Sequence, residues 1–390
     1  MKCLLKEDLE RNGFTLRTDH PEPEPSYDEV KIKVLAASVC GTDKSIYQSA
    51  DNEGIKDEMR RYLDHPDNYR PIIVGHEFCG IVESVGEGRE TVRARDIDPD
   101  LVIEPGDYVT AEMHIPCGHC TLCRTGNAHI CLNVRVKGVH LDGCFAQSVV
   151  VPRSNVILLG KRGDISSIPP RLAAMLDPLG NAVHTVQAAD VGGKSVAILG
   201  LGPLGLMATL LARIHGAARI YVTEAVDLEH RFELAREFGA DFFFDAIHGR
   251  HDLYETVRRQ EKASGGVDVV LEMSGAAAAY EDAIRIVRNG GTIVLLGIPR
   301  HPLSEFDMAG GVIWKGVTLK GIFGRRMFDT WNTMLNLVRA DKFGLRSRLI
   351  QMMAPKPYPL EDYRSAFQGL LTGQAMKLIF TPNPDAYAGD

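Results

Sequence analysis

The sequence predicts an α/β protein of two domains, a mostly β domain followed by a doubly wound parallel sheet. Short β-rich pieces between Gly and Pro punctuation fill residues 1–160, and from about 180 apolar strands alternate with helical stretches. Length agrees, because 390 residues exceed the size at which one hydrophobic core stops growing.

The first domain is read from residues 29–37, which alternate like a half-buried strand, and from the β-rich pieces 81–86, 107–110 and 147–152. Between them, Gln48 to Arg70 is polar and charged and reads as an insertion, with a short helix expected over 56–63. In the second domain, strands are expected at 195–199, 219–224, 267–272 and 291–297, and helices at 204–215, 229–238 and 277–288. Residues 325–390 lose this alternation and are expected to return to the first domain. The boundaries are 1–178, 179–324 and 325–390.

Composition narrows the function. With 45% apolar and 24% charged residues the chain is ordinary for a globular protein, and a net charge of −7 argues against a nucleic-acid or anionic-membrane binder. The first residues lack an apolar stretch of signal-peptide length, so a cytoplasmic location is expected. The longest apolar run, Val196 to Ala212, is broken by Gly200, Gly202, Pro203 and Gly205, and reads as strand, turn and helix rather than a membrane span.

Four cysteines, Cys117, Cys120, Cys123 and Cys131, lie within a lobe at about 114–134. At this spacing four thiolates can close a tetrahedron around one Zn²⁺ with no open position, so the site shapes a loop and does no chemistry. Two disulfides in a secreted protein are the competing reading. A catalytic zinc needs about three protein ligands and an open position. Cys40-Gly-Thr-Asp43, Gly75-His76-Glu77 and Asp177-Pro178 are the candidates outside the lobe. Each also has a plain explanation: Cys40 as apolar filler, His76 as a satisfied core histidine, Asp177-Pro178 as a helix start. Cys79 and Cys144 are read as filler.

Gly200-Leu-Gly202-Pro203-Leu204-Gly205 follows an apolar strand and opens an apolar helix, the context in which such a turn binds a dinucleotide pyrophosphate. Glu224 ends the next strand, where an acid accepts hydrogen bonds from ribose hydroxyls and repels a 2′-phosphate, which favours NAD over NADP. Arg231 nearby weakens that preference. A solvated strand-end acid is the alternative for Glu224.

Taken in order, Cys40-Gly-Thr-Asp, Gly75-His-Glu-Phe-Cys-Gly-Ile-Val, the cysteine lobe and the glycine turn resemble the zinc-containing medium-chain alcohol dehydrogenases over nearly the whole chain. Within that family, the stretches 114–120, 177–185, 271–275, 296–299 and 320–331 look most like its threonine-dehydrogenase branch. The resemblance implies a chaperonin-10-like β-barrel catalytic domain with a Rossmann domain inserted before its C-terminal part. It further implies homo-oligomers (tetramers or dimers) and two zinc ions per chain, one structural and one catalytic. Cys40 and His76 become catalytic zinc ligands, with Glu77 and Asp177 as carboxylates near the metal. Thr42 would relay the substrate proton. One departure stands out: the branch carries a relay histidine where this chain has Ser45, and a hydroxyl cannot store a proton near neutral pH as imidazole does. His114 fits the branch and could line the pocket, whereas His65 reads as a surface residue.

The expected activity is oxidation of a small-molecule secondary alcohol by NAD, L-threonine to 2-amino-3-oxobutanoate. An NAD-dependent polyol dehydrogenase of sorbitol or inositol type is the alternative, and a non-catalytic zinc-ribbon module the remote one.

Overall fold

The computed structural model describes residues 1–65, 68–87, 102–299, 301–304, 306–373 and 375–387, so Pro66 and Asp67 of the expected insertion lie outside the described residues. The chain divides into two units, Met1–Asp177 with Met352–Asp390, and Pro178–Gln351. None of the helices among the described residues is long and apolar enough to cross a membrane.

The first unit is built on the strand Glu29–Ser38, whose alternating Val30, Ile32 and Val34 are wholly buried. It pairs antiparallel with Glu77–Val85 on one side, and with Ser148–Pro152 and Ile379–Phe380 on the other. Tyr108–Ala111 and Val156–Gly160 complete this sheet, and Thr15–Arg17, Cys3–Lys6 and Ile72–Ile73 form a second, smaller one. Phe78, Phe145, Phe367 and Phe380 fill the core, the last two drawn from the C-terminal return.

The described residues of the insertion pack against the first unit. Its helix runs Glu53–Arg60, earlier than expected, because Asn52 caps it by accepting Ile55 N at 3.2 Å. Lys56 is buried against Glu10, at 2.8 Å, and the Tyr62 hydroxyl donates to Val134 O at 2.6 Å. His140 Nδ1 accepts from Val136 N, which leaves Nε2 to donate to Glu58 O at 2.9 Å. His65 is exposed.

The second unit holds a six-stranded, all-parallel sheet in the order Phe242–Asp245, Arg219–Glu224, Ser195–Leu199, Val267–Glu272, Val287–Leu295, Thr318–Gly321. Its first strand in sequence lies in the middle, with later strands added outward on both sides, the doubly wound order of a Rossmann sheet. Val196 to Leu199 are all buried, which is why this strand reads as a continuous apolar run. The chain returns to the first unit at Met352, not at 325. Residues 325–351 stay with the second unit because the Arg325 side chain lies against Gly180 and reaches Asn181 Oδ1 at 3.2 Å, and because Trp331 and Met334 of the helix Asp329–Ala340 are buried.

Candidate functional site

Strand register creates the first cluster. Ser38 pairs with Glu77, so the chain running forward to Cys40 and backward to His76 leaves the ladder at the same end. The turn before His76 depends on Gly75, whose φ is +89° and where a Cβ would stand 2.3 Å from the Phe145 ring. Among the described residues, ligand atoms of Cys40, His76 and Glu77 all lie within 4.8 Å of one another.

Asp43, wholly buried, locks the Cys40 end: its Oδ2 accepts Cys40 N at 2.8 Å, and its Oδ1 faces His76 Nδ1 at 3.7 Å. A carboxylate on one ring nitrogen is the device that orients a metal-ligating imidazole. Burial alone would push the His76 imidazolium down, but Asp43, Cys40 and Asp177 outweigh it and hold His76 at about 10. Asp177, 6% exposed, thus acts on His76 through its field while standing outside the 4.8 Å set. Cys144, read as filler, packs its thiol on Glu77 O at 3.7 Å, and burial pushes that thiol up.

Lys377 joins the same cluster from the far end of the chain. Its ammonium donates to Glu77 Oε2 at 2.5 Å and to Val39 O at 2.9 Å, and the residue is 3% exposed. Thr42 Oγ1 lies 3.9 Å from Cys40 Sγ. Ser45 is three residues further along the helix Gly41–Tyr47, and so on the same face as Thr42. His114 stands on the short strand His114–Ile115, its Nδ1 2.7 Å from the buried Glu112 Oε1.

The donor set fits zinc. Thiolate, imidazole and carboxylate are ligands that this borderline-soft ion takes. Glu77 Oε1 is buried without a hydrogen-bond partner, a costly state that a nearby cation relieves. The second cluster fits even more closely. The sulfur–sulfur distances Cys117–Cys123, Cys120–Cys123, Cys120–Cys131 and Cys117–Cys131 run from 3.5 to 3.9 Å, and all four sulfurs lie within 4.8 Å of one another, against roughly 3.8 Å between the corners of a tetrahedron of ~2.3 Å Zn–S bonds. All eight cysteines are free, so the disulfide reading of this lobe fails. The backbone N–H groups of His119 and Cys120 hold the Cys117 thiol down at about 6, favouring thiolate.

In the second unit, the helix Pro203–Ile214 starts from Gly202 with no side-chain cap, leaving its first N–H groups for an anion. Leu204 lies in its first turn and is half-buried. Glu224 is bound to this turn: Oε2 accepts Leu201 N at 2.8 Å and Arg231 Nη1 at 2.7 Å, and Oε1 accepts Ala225 N and Val226 N. Glu224 is therefore no solvated strand-end acid, and Arg231 is its ion-pair partner.

A doubly wound sheet with an open glycine turn, joined to one chain with a closed four-thiolate cluster and an open Cys–His–carboxylate cluster, defines a zinc-dependent dehydrogenase. Comparison with known proteins agrees. Residues 26–161 match the alcohol dehydrogenase GroES-like domain, and residues 203–340 match the zinc-binding dehydrogenase family. The chain is 37% identical to an L-threonine 3-dehydrogenase of Caldanaerobacter subterraneus subsp. tengcongensis, covering 98% of this chain and 99% of that one. It is 36% identical to the Bacillus subtilis L-threonine 3-dehydrogenase, with coverage of 98% and 99%. A zinc-binding dehydrogenase of Sinorhizobium meliloti, solved with NADP, superposes with a TM-score of 0.79 at 27% identity over 98% of this chain and 99% of that one. The chain belongs to the zinc-containing alcohol dehydrogenase family. It is an oxidoreductase that uses zinc and a nicotinamide dinucleotide.

Glu112 and Lys377 escaped the sequence reading, and Asp43 was named only as part of a motif, with no role of its own. Asp43 closes the Cys40-Gly-Thr-Asp motif and Glu112 sits two residues from His114, so both had a local signal; Lys377 had none.

Proposed function

We propose that the chain oxidises L-threonine to 2-amino-3-oxobutanoate with NAD, releasing NADH and a proton. The observation that carries this is the Cys40–His76–Glu77 cluster, in a chain that matches threonine dehydrogenases end to end. When bound, zinc supplies Lewis acidity that lowers the pKa of a substrate hydroxyl, and the nicotinamide accepts hydride. Cys40 and His76 hold the metal, and Asp43 keeps the imidazole oriented. Thr42 receives the hydroxyl proton and passes it along its helix face to Ser45, which hands it to solvent. The glycine turn binds the pyrophosphate, and Glu224 takes the ribose, with Arg231 yielding part of its contact. His114, held by Glu112, lines the substrate pocket.

Ser45 favours a second reading, a polyol dehydrogenase running the same chemistry without an imidazole relay. A substrate panel separates them: L-threonine, sorbitol, inositol and 2,3-butanediol, each with NAD and with NADP, followed by the absorbance of the reduced dinucleotide. L-threonine with NAD is expected to have the highest kcat/KM. A polyol ahead of threonine would replace this assignment, and equal use of NADP would remove Glu224 as a selector.

We also propose a homo-oligomer. Ile313 and Trp314 are 65% and 82% exposed beside the edge strand Thr318–Gly321, an apolar patch next to unpaired backbone. Light scattering should give a multiple of the chain's 42.9 kDa; a monomer at working concentration would refute it.

A further inference from the structure

We infer that Lys377 is a positioning residue that keeps Glu77 from becoming a permanent ligand of the catalytic zinc, and so keeps one coordination position open for substrate. The inference rests on the reading of Cys40, His76 and Glu77 as a metal site.

Lys377 is well placed for this. Val39 precedes Cys40 and Glu77 follows His76, so one ammonium ties together the two chain segments that carry the ligands. Its own backbone is fixed: Lys377 O accepts Ala354 N at 2.8 Å, Leu378 O accepts Val39 N at 3.0 Å, and Ile379 pairs with Ser38. The cation cannot drift from its partners.

Glu77 has two unlike oxygens. Oε2 is held by Lys377, while Oε1 is buried without a hydrogen-bond partner, and the carboxylate reaches within 4.8 Å of the Cys40 and His76 ligand atoms. A carboxylate whose charge is shared with a buried ammonium is a weak ligand. The same carboxylate stripped of that partner is an uncompensated buried charge, for which a dication is the nearest remedy. Lys377 also adds a positive charge beside Cys40, Asp43 and Glu77, which lowers the site's attraction for a second cation. Its presence therefore costs metal affinity and preserves the open position that separates a catalytic zinc from a structural one.

A purely structural ion pair predicts the opposite sign, because breaking it would loosen the site and weaken metal binding. The test is Lys377→Met in the full chain, with zinc affinity measured by chelator competition. Zinc should bind the Cys40 site roughly tenfold more tightly or better, while turnover falls roughly tenfold or more. The gain in melting temperature on adding zinc should be larger than in the natural chain, and Lys377→Met/Glu77→Gln should abolish the extra affinity. Unchanged or weaker zinc binding in a folded Lys377→Met protein would overturn the inference. Should that variant not fold, Glu77→Gln alone decides. Loss of zinc affinity below about tenfold supports a Glu77 held in reserve, and any larger loss shows a full-time ligand and overturns it. If the natural chain binds only one zinc, the metal reading itself fails, whatever Lys377 does.

Discussion

Cys40→Ser is expected to abolish turnover and leave dinucleotide binding intact. Serine is nearly isosteric, but its hydroxyl is neutral at pH 7 and a poor zinc ligand, so the cluster loses an anion and its soft donor. A Lewis acid contributes several kcal/mol to alkoxide formation, so kcat should fall on the order of a thousandfold at about 1.4 kcal/mol per factor of ten. Metal analysis should fall from two zinc ions per chain to one, because the four-cysteine lobe is untouched. NADH fluorescence should still report binding, since the glycine turn belongs to the second unit. A folded Cys40→Ser protein with natural activity and full zinc content would remove Cys40 from the metal site.

Gly205→Ala is expected to damage the dinucleotide site and spare the metals. A Cβ at 205 would stand 1.9 Å from Gly200 O, a backbone atom that cannot swing aside, because Gly200 holds its turn at φ +99° with Ser274 packed against it. The helix Pro203–Ile214 must then lift off the strand Ser195–Leu199. Overpacking of this kind costs about 1–3 kcal/mol, or roughly 2–12 °C in the melting temperature of a unit of this size. The N–H groups at the start of the helix move with it, so dinucleotide affinity should fall by about tenfold or more. Calorimetry and a fluorescence titration measure the two effects, and zinc content should stay at two per chain. Natural affinity and stability would show that strand and helix are not in contact through Gly205.

Whatever could be read from the chain before folding was local. The cysteine lobe, the glycine turn and the two short motifs around Cys40 and His76 carry their chemistry in spacing, and spacing survives in a sequence. The parallel sheet was legible where strands are buried on both faces, as at 195–199. It was not legible at Arg250–Gln260, a helix that buries only Leu253 and Val257 on a charged background. The return to the first unit was placed too early because strands stop at Gly321, whereas packing continues through the helix Asp329–Ala340. Lys377 lay beyond reach for a different reason. A lone lysine has no pattern, and its meaning comes from a carboxylate 300 residues away.

The pairing of Ser38 with Glu77 has a wider consequence. A sheet ladder works as a ruler, and it brings Cys40 and His76 together whatever the length of peptide looped out between them. That stretch is therefore open to growth in the course of evolution, and a charged extra helix could be accommodated there without cost to the metal centre. The converse also holds. Strands that zip one residue out of step turn every side chain to the opposite face, and a misaligned barrel would gather no ion between Cys40 and His76. A loaded second zinc is thus a certificate of correct strand alignment.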